Sequence, residues 1–305
     1  MGLRHETVQV NGIQMHYVIA GSGPLLLLLH GFPEFWWSWR HQIEHFCADF
    51  TVVAPDLRGY NDTDKPTWGY EIDVLLADLV EFMRSLGFHR AVVRPPPLGG
   101  MLAWGLAIHY PYRVDRLIVL NAPHPGLVKR SLCIGSSHTL RSLATLFVQV
   151  PWLPEALLQA NDYALVRWLL RGRAVRKDAF SDDVLETYQD AISKPGALKA
   201  ALSWYRFTGS FRELFYGYPV MRLLNGKSSC IQAPTLLLWG EKHRDQDVPL
   251  TYGTERYVTD LHLRCIPNCS LRILHENPAL VNQYMAVFLE SREVSGERSE
   301  VNRDG

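Results

Sequence analysis

Few of the side chains that usually do chemistry stand in a familiar pattern in this chain. The string HRDQD puts an imidazole, His243, and two carboxylates, Asp245 and Asp247, at alternate positions. Nitrogen and oxygen donors so spaced could hold a divalent cation; the plainer reading is three solvated side chains of a loop. His275 could serve as a base if one of those aspartates oriented it, although a solvated loop histidine is the simpler expectation. No GxSxG string offers a serine nucleophile. The five cysteines are odd in number and none forms a CxxC pair, which reads as reduced thiols, not a disulfide frame or zinc site. The most unusual stretch is VVRPPPLGGMLAW, from Val92 to Trp104. It is a strand-to-helix corner, the kind of bend that can present a nucleophile, yet Pro95, Pro96 and Pro97 occupy it.

The flanking elements explain why that corner matters. Residues 7–19 alternate apolar and polar around Asn11-Gly12, the signature of a two-residue hairpin. LLLLLH (25–30), FTVVAPD (50–56), RAVV (90–93) and VDRLIVLNAP (114–123) are apolar runs expected of strands buried on both faces. Between them, DVLLADLVEFMRSLGF (73–88) and MLAWGLAIHYP (101–111) carry helical spacing. The alternation implies a mostly parallel sheet with helices on both faces. From about 126 to 226 the pattern turns helical and aromatic-rich, as in ALKAALSWYRF. APTLLLWGE (233–241), LRCIPN (263–268) and PALVNQYMAVFLES (278–291) then restore strand, strand and helix. The expected organisation is an α/β core of 1–125 and 227–292, a helical cap of 126–226, and a charged disordered tail of 293–305.

Composition narrows the function classes. With 31 basic and 31 acidic residues, and the arginines spread along the chain, no basic stripe points to nucleic acid. No apolar run approaches the roughly 20 residues of a membrane helix, and MGLRHETVQV lacks an apolar signal core. Glu6 also stands where a myristoylation signal has Ser or Thr. The expectation is a soluble cytoplasmic protein with no membrane span, no cofactor and no resident metal.

Six separated strings carry a resemblance over residues 5–290: LHGFPEFWWSWRHQ, DLRGYNDTDKP, NAPHP, SWYR, PTLLLWGE and LVNQYM. In order and spacing the chain resembles the epoxide-hydrolase branch of the α/β-hydrolase family. The resemblance implies an α/β-hydrolase fold with an inserted cap. It also implies conversion of an epoxide and water to a vicinal diol. In intact members an elbow aspartate attacks the epoxide and forms an ester, and a histidine oriented by a second acid activates water to hydrolyse it. Main-chain N–H groups hold the oxyanion, and cap tyrosines donate to the epoxide oxygen. A carboxylate attacks without prior deprotonation, the ester step needs a base near neutrality, and the developing alkoxide needs donors in a dry pocket.

Carried over by position, the resemblance assigns oxyanion donors to the main chain of Phe32 and Leu98. It places His30, Pro33, Trp36 and Phe147 around a hydrophobic, epoxide-like ligand, with Trp37 beside them in pocket or core. Tyr205 matches the cap oxygen donor, while Phe147, at the second tyrosine position, cannot donate. The three chemical positions depart from the family. Pro97 replaces the nucleophile, His243 the acid and Leu271 the base, and Asn121 stands at an alternative acid position without charge. The expectation is a scaffold whose activity is lost or severely impaired. The alternatives are a non-catalytic small-molecule-binding or interaction protein, and an active hydrolase with a rearranged Asp245/Asp247–His275 site. Dehalogenase ancestry shares the same plan and ranks lower, because DLRGYNDTDKP and SWYR match epoxide hydrolases better.

Overall fold

The computed structural model describes residues 2–89, 91–94, 97–127, 147–208, 230–242 and 251–290. The opening hairpin joins β1 (Arg4–Val10) to β2 (Ile13–Ala20). Asn11 and Gly12 both take positive φ, 43° and 80°, as a tight two-residue hairpin turn requires. Next come β3 (Leu25–Leu28), α1 (Arg40–Phe46), β4 (Thr51–Pro55), α2 (Ile72–Ser85) and β5 (Ala91–Arg94). Helix α3 (Pro97–His109) leads into β6 (Val114–Leu120). Helix α3 starts four residues before the sequence pattern begins at Met101. Proline is well placed as a first helical residue, where its missing N–H would have no intrahelical partner.

After β6 come α4 (Leu153–Arg167), α5 (Asp182–Ser193) and α6 (Ala197–Thr208). Residues 160–163 interrupt α4 with non-helical torsions. The Ser181 hydroxyl caps α5 by accepting the Val184 N–H. The chain returns to the sheet with β7 (Thr235–Gly240) and β8 (Leu261–Ile266), the latter starting two residues before the expected LRCIPN. A four-residue α7 (Ile273–Glu276) and α8 (Pro278–Glu290) follow.

The eight strands lie in the order β1-β2-β4-β3-β5-β6-β7-β8. Strands β4, β3, β5, β6, β7 and β8 run parallel, and only the β1-β2 and β2-β4 pairs are antiparallel. Alternate residues of each central strand feed two cores. Leu27, Val53, Leu117, Val119, Leu237 and Trp239 face α2 and α3. Leu26, Leu28, Val52, Ile118, Leu120 and Leu238 face α1 and α8. Burial on both faces is why these strands read as unbroken apolar runs. Among the described residues no helix is long and apolar enough to cross a membrane.

Candidate functional site

Parallel strands deliver their C-terminal ends to one edge of the sheet, where open α/β folds gather their functional loops. Phe32 follows β3, Pro97 follows β5, Asn121 follows β6 and Leu271 follows β8. The positions singled out in the sequence thus emerge on a common edge. Pro95, Pro96, His243, Asp245 and Asp247 lie outside the described residues. Pro97 and Leu98 are the first two residues of α3. Two positions further on, the helix comes so close to β6 that a Cβ on Gly100 would lie 2.3 Å from the Ala122 Cβ.

The Leu271 loop is held by its backbone. Asn121 is fully buried and adopts a left-handed φ of 49°. Its side-chain N–H donates to the Leu271 carbonyl at 3.2 Å, and its Oδ1 accepts the Gly240 N–H at 2.7 Å. Gly240 completes the arrangement: a Cβ there would stand 2.2 Å from the Ser270 carbonyl oxygen. Asn121, at the alternative acid position, therefore works as a main-chain tie between the ends of β6, β7 and the 270–271 loop. Glu276 fastens the same loop by accepting from the Ser270 N–H and hydroxyl, and reaches the helical insertion by accepting the Val175 N–H at 2.7 Å.

The loop after β3 is fixed from both sides. His30 is buried, and its Nε2 accepts the Leu57 N–H at 2.9 Å, so Nδ1 carries the proton donated to the Gly31 carbonyl. Burial lowers its pKa, which agrees with a neutral ring. The Phe32-Pro33 peptide is cis. Glu34 follows, buried, with Oε1 on the Arg272 guanidinium at 2.7 Å. Burial raises the Glu34 carboxyl pKa and the Arg272 charge opposes that rise. Arg272 also reaches the Leu169 carbonyl, so one side chain links the β8 loop, the β3 loop and the helical insertion. The sequence reading passed over Glu34 and Arg272, although each adjoins a position it named.

Tyr205 on α6 meets Phe32 edge-on, with ring centroids 5.7 Å apart. The expected oxygen donor and the expected oxyanion loop are therefore neighbours. Burial pushes the Tyr205 hydroxyl up to about 12, so it is a neutral donor at physiological pH. Phe147 is 37% exposed. Trp36 and Trp37 are half-buried against the core; Trp37 packs on Tyr188 and beneath the Arg40 guanidinium.

His275 corrects the expectation of a solvated loop. It lies in α7 and is only 6% exposed, stacked on Phe180. Its Nε2 is 2.6 Å from the Tyr188 hydroxyl, which is 2.8 Å from the Ser38 hydroxyl. Burial, with the positive charges of Arg40 and Arg272, drives its pKa well below the usual imidazole value. Tyr188 was missed, yet Leu185, Tyr188, Ala191 and Ile192 recur at helical spacing on the buried face of α5, which is a readable signal.

A second polar cluster underlies the β3 loop. Asp56 is fully buried and accepts from the Trp36 N–H, the Asn61 amide and His16 Nδ1. His16, Asp56 and Asp62 bring ligand-type atoms within 4.8 Å of one another. Asp62 is engaged elsewhere, by Lys194 at 2.5 Å and by the Asn61 amide.

This fold and edge place the chain among known proteins. The model of the α/β hydrolase fold family matches residues 24–258, and the chain belongs to that family. Its relatives put it in the epoxide-hydrolase branch. It is 36% identical to human Epoxide hydrolase 4 over 292 residues, covering 93% of this chain and 77% of that protein. It is also 36% identical to the AB hydrolase superfamily protein YfhM of Bacillus subtilis, covering 95% of this chain and 99% of that one. Among solved structures, the Bacillus megaterium epoxide hydrolase in complex with an inhibitor superposes with a TM-score of 0.84. That match is 30% identical and covers 93% of this chain and 99% of the other.

Proposed function

We propose that this chain is an epoxide-hydrolase scaffold that has lost, or nearly lost, epoxide turnover and keeps a cleft for hydrophobic small molecules under a helical cap. The observation that carries the reading is Pro97 as the first residue of α3, at the bend after β5 where a carboxylate nucleophile would have to stand. Its ring fixes φ near about −65°, far from the strained bend that presents an elbow nucleophile, and it has no atom with which to attack. Leu271 at the base position adds to this, because an aliphatic side chain cannot activate water. Losing one essential member of such a unit costs roughly 10⁴- to 10⁶-fold in rate, and later losses add little.

The binding half of the reading rests on Tyr205 and Phe32, an aromatic neighbour pair that keeps a neutral hydroxyl donor beside the β3 loop. A Bacillus megaterium relative is solved with its naphthyloxy-propanediol product, an aromatic ether diol of the size such a cleft accepts. A rearranged active site built on His275 is not favoured. Its Nε2 is bound to Tyr188, and its Nδ1 is buried with no hydrogen-bond partner among the described residues.

A reversion series tests the proposal. Pro97→Asp, His243→Asp and Leu271→His, with Pro95→Gly, are made singly and together and assayed on an aryl glycidyl ether beside the parent chain. The expected result is negligible turnover by the parent and measurable diol formation by the full revertant. Efficient turnover by the parent overturns the inactive reading, and a folded but inactive full revertant overturns the assignment of those positions.

A further inference from the structure

The β1-β2 hairpin carries two histidines that the cleft does not use. In the antiparallel register His5 pairs with Val18 and Thr7 with His16, which puts His5 and His16 diagonally on one face. His5 Nδ1 lies 3.1 Å from His16 Nε2. The other nitrogen of His16, Nδ1, is 2.7 Å from buried Asp56 Oδ2. A carboxylate that also accepts from the Asn61 amide and the Trp36 N–H stays an acceptor, so His16 Nδ1 carries the proton. His16 Nε2 is thereby fixed as a lone pair, directed toward exposed His5.

We propose that His5 Nδ1 and His16 Nε2 form a chelating site for a late transition-metal dication of the Zn²⁺ or Cu²⁺ type. Two imidazole nitrogens about 2.0–2.1 Å from one ion and 3.1 Å from each other subtend an angle of about 98° at that ion, within the range such ions accept. The same separation serves a proton shared between the rings, so the cation takes the place of one hydrogen bond and the His5 proton moves to its Nε2. Asp56 supplies what metal-binding histidines characteristically have, a carboxylate on the opposite ring nitrogen that fixes tautomer and orientation. Trp36 stands edge-on to His5, with centroids 5.1 Å apart, and limits its swing. Exposure of His5 gives the ion an entry path and leaves room for water to complete the coordination. The carboxylates of Asp56 and Asp62 are not the ligands, since their oxygens already accept from His16, Asn61, Trp36 and Lys194.

The test is calorimetric titration of the full chain with ZnCl₂ and with CuCl₂ in a non-coordinating buffer near pH 7.5, beside thermal unfolding with and without the ion. Parent protein is expected to bind one ion and to unfold at a higher temperature with it. His5→Asn changes an exposed residue and is expected to weaken binding at least tenfold and to abolish the thermal shift. His262→Asn, on the distant strand β8, is expected to leave both unchanged. Absence of saturable binding overturns the proposal, as does binding unaffected by His5→Asn or weakened equally by His262→Asn. His16→Asn should match His5→Asn, and the His5 variant decides the matter alone if His16→Asn fails to fold.

Discussion

Two flanks of the same sheet edge treat polarity in opposite ways. On the β3-β4 flank, the oxygens of Asp56 take a main-chain N–H, an amide and an imidazole, and both nitrogens of His30 bond to main-chain groups. On the β5-β8 flank, the residues at the expected chemical positions are Pro97 and Leu271, which have no functional side-chain atoms. The polar work there is done by Asn121 on backbone groups. The first flank is a polar wall whose side chains build structure. On the second, structure comes from the main chain, and the side chains at its tips are decoupled from it. Chemistry can therefore be lost from the second flank without loosening the first.

Each prediction presses on that contrast. The largest effect should come from Asp56→Ala, which leaves the Trp36 N–H, His16 Nδ1 and the Asn61 amide without their acceptor. A loss of about 3–5 kcal/mol in urea unfolding is expected for orphaned buried donors next to a removed charge. A loss below about 1 kcal/mol would break the idea of a structural wall.

The next effect is pH-dependent. Burial depresses the His275 pKa well below its ordinary 6.5, so the unfolded chain binds this proton more readily than the folded one. Its contribution to stability is full above about pH 6.5 and is lost as the pH falls toward the folded-state pKa, at up to about 1.4 kcal/mol per pH unit. His275→Gln should reduce the slope of unfolding free energy against pH in that interval, and an unchanged slope would contradict it. His30, also depressed by burial, should keep part of the slope in the variant.

The smallest effect belongs to Leu271→His. The loop is fixed through the Leu271 carbonyl and the Ser270 N–H, and the Leu271 side chain is half-buried. The exchange should therefore cost less than about 1 kcal/mol and leave the melting profile near that of the parent. A cost of several kcal/mol would show that side chain and loop are coupled after all.

Much of the fold was legible because its signals are local. Asn11-Gly12 marks the hairpin turn, and runs such as LLLL and TVVAP report strands covered on both faces. Boundaries were less legible: α3 begins at Pro97 because proline suits a first helical turn, whereas the apolar pattern begins only at Met101. The site divided along the same line. Phe32, Pro97, Tyr205 and Leu271 could be located from strings with fixed order. The Ser38–Tyr188–His275 line could not, because its partners lie 150 and 87 residues apart and only packing brings them together. ILHENP looks like a polar loop until Phe180 and Tyr188 cover its histidine.

The tie made by Asn121 and Gly240 has a consequence for how such a protein can change over generations. It grips residue 271 by its carbonyl and is indifferent to the side chain, so the loop acts as a socket whose insert can be exchanged. A lineage that has surrendered a function at such a position still owns the fitting for it, and the way back crosses few codons and no refolding of the frame.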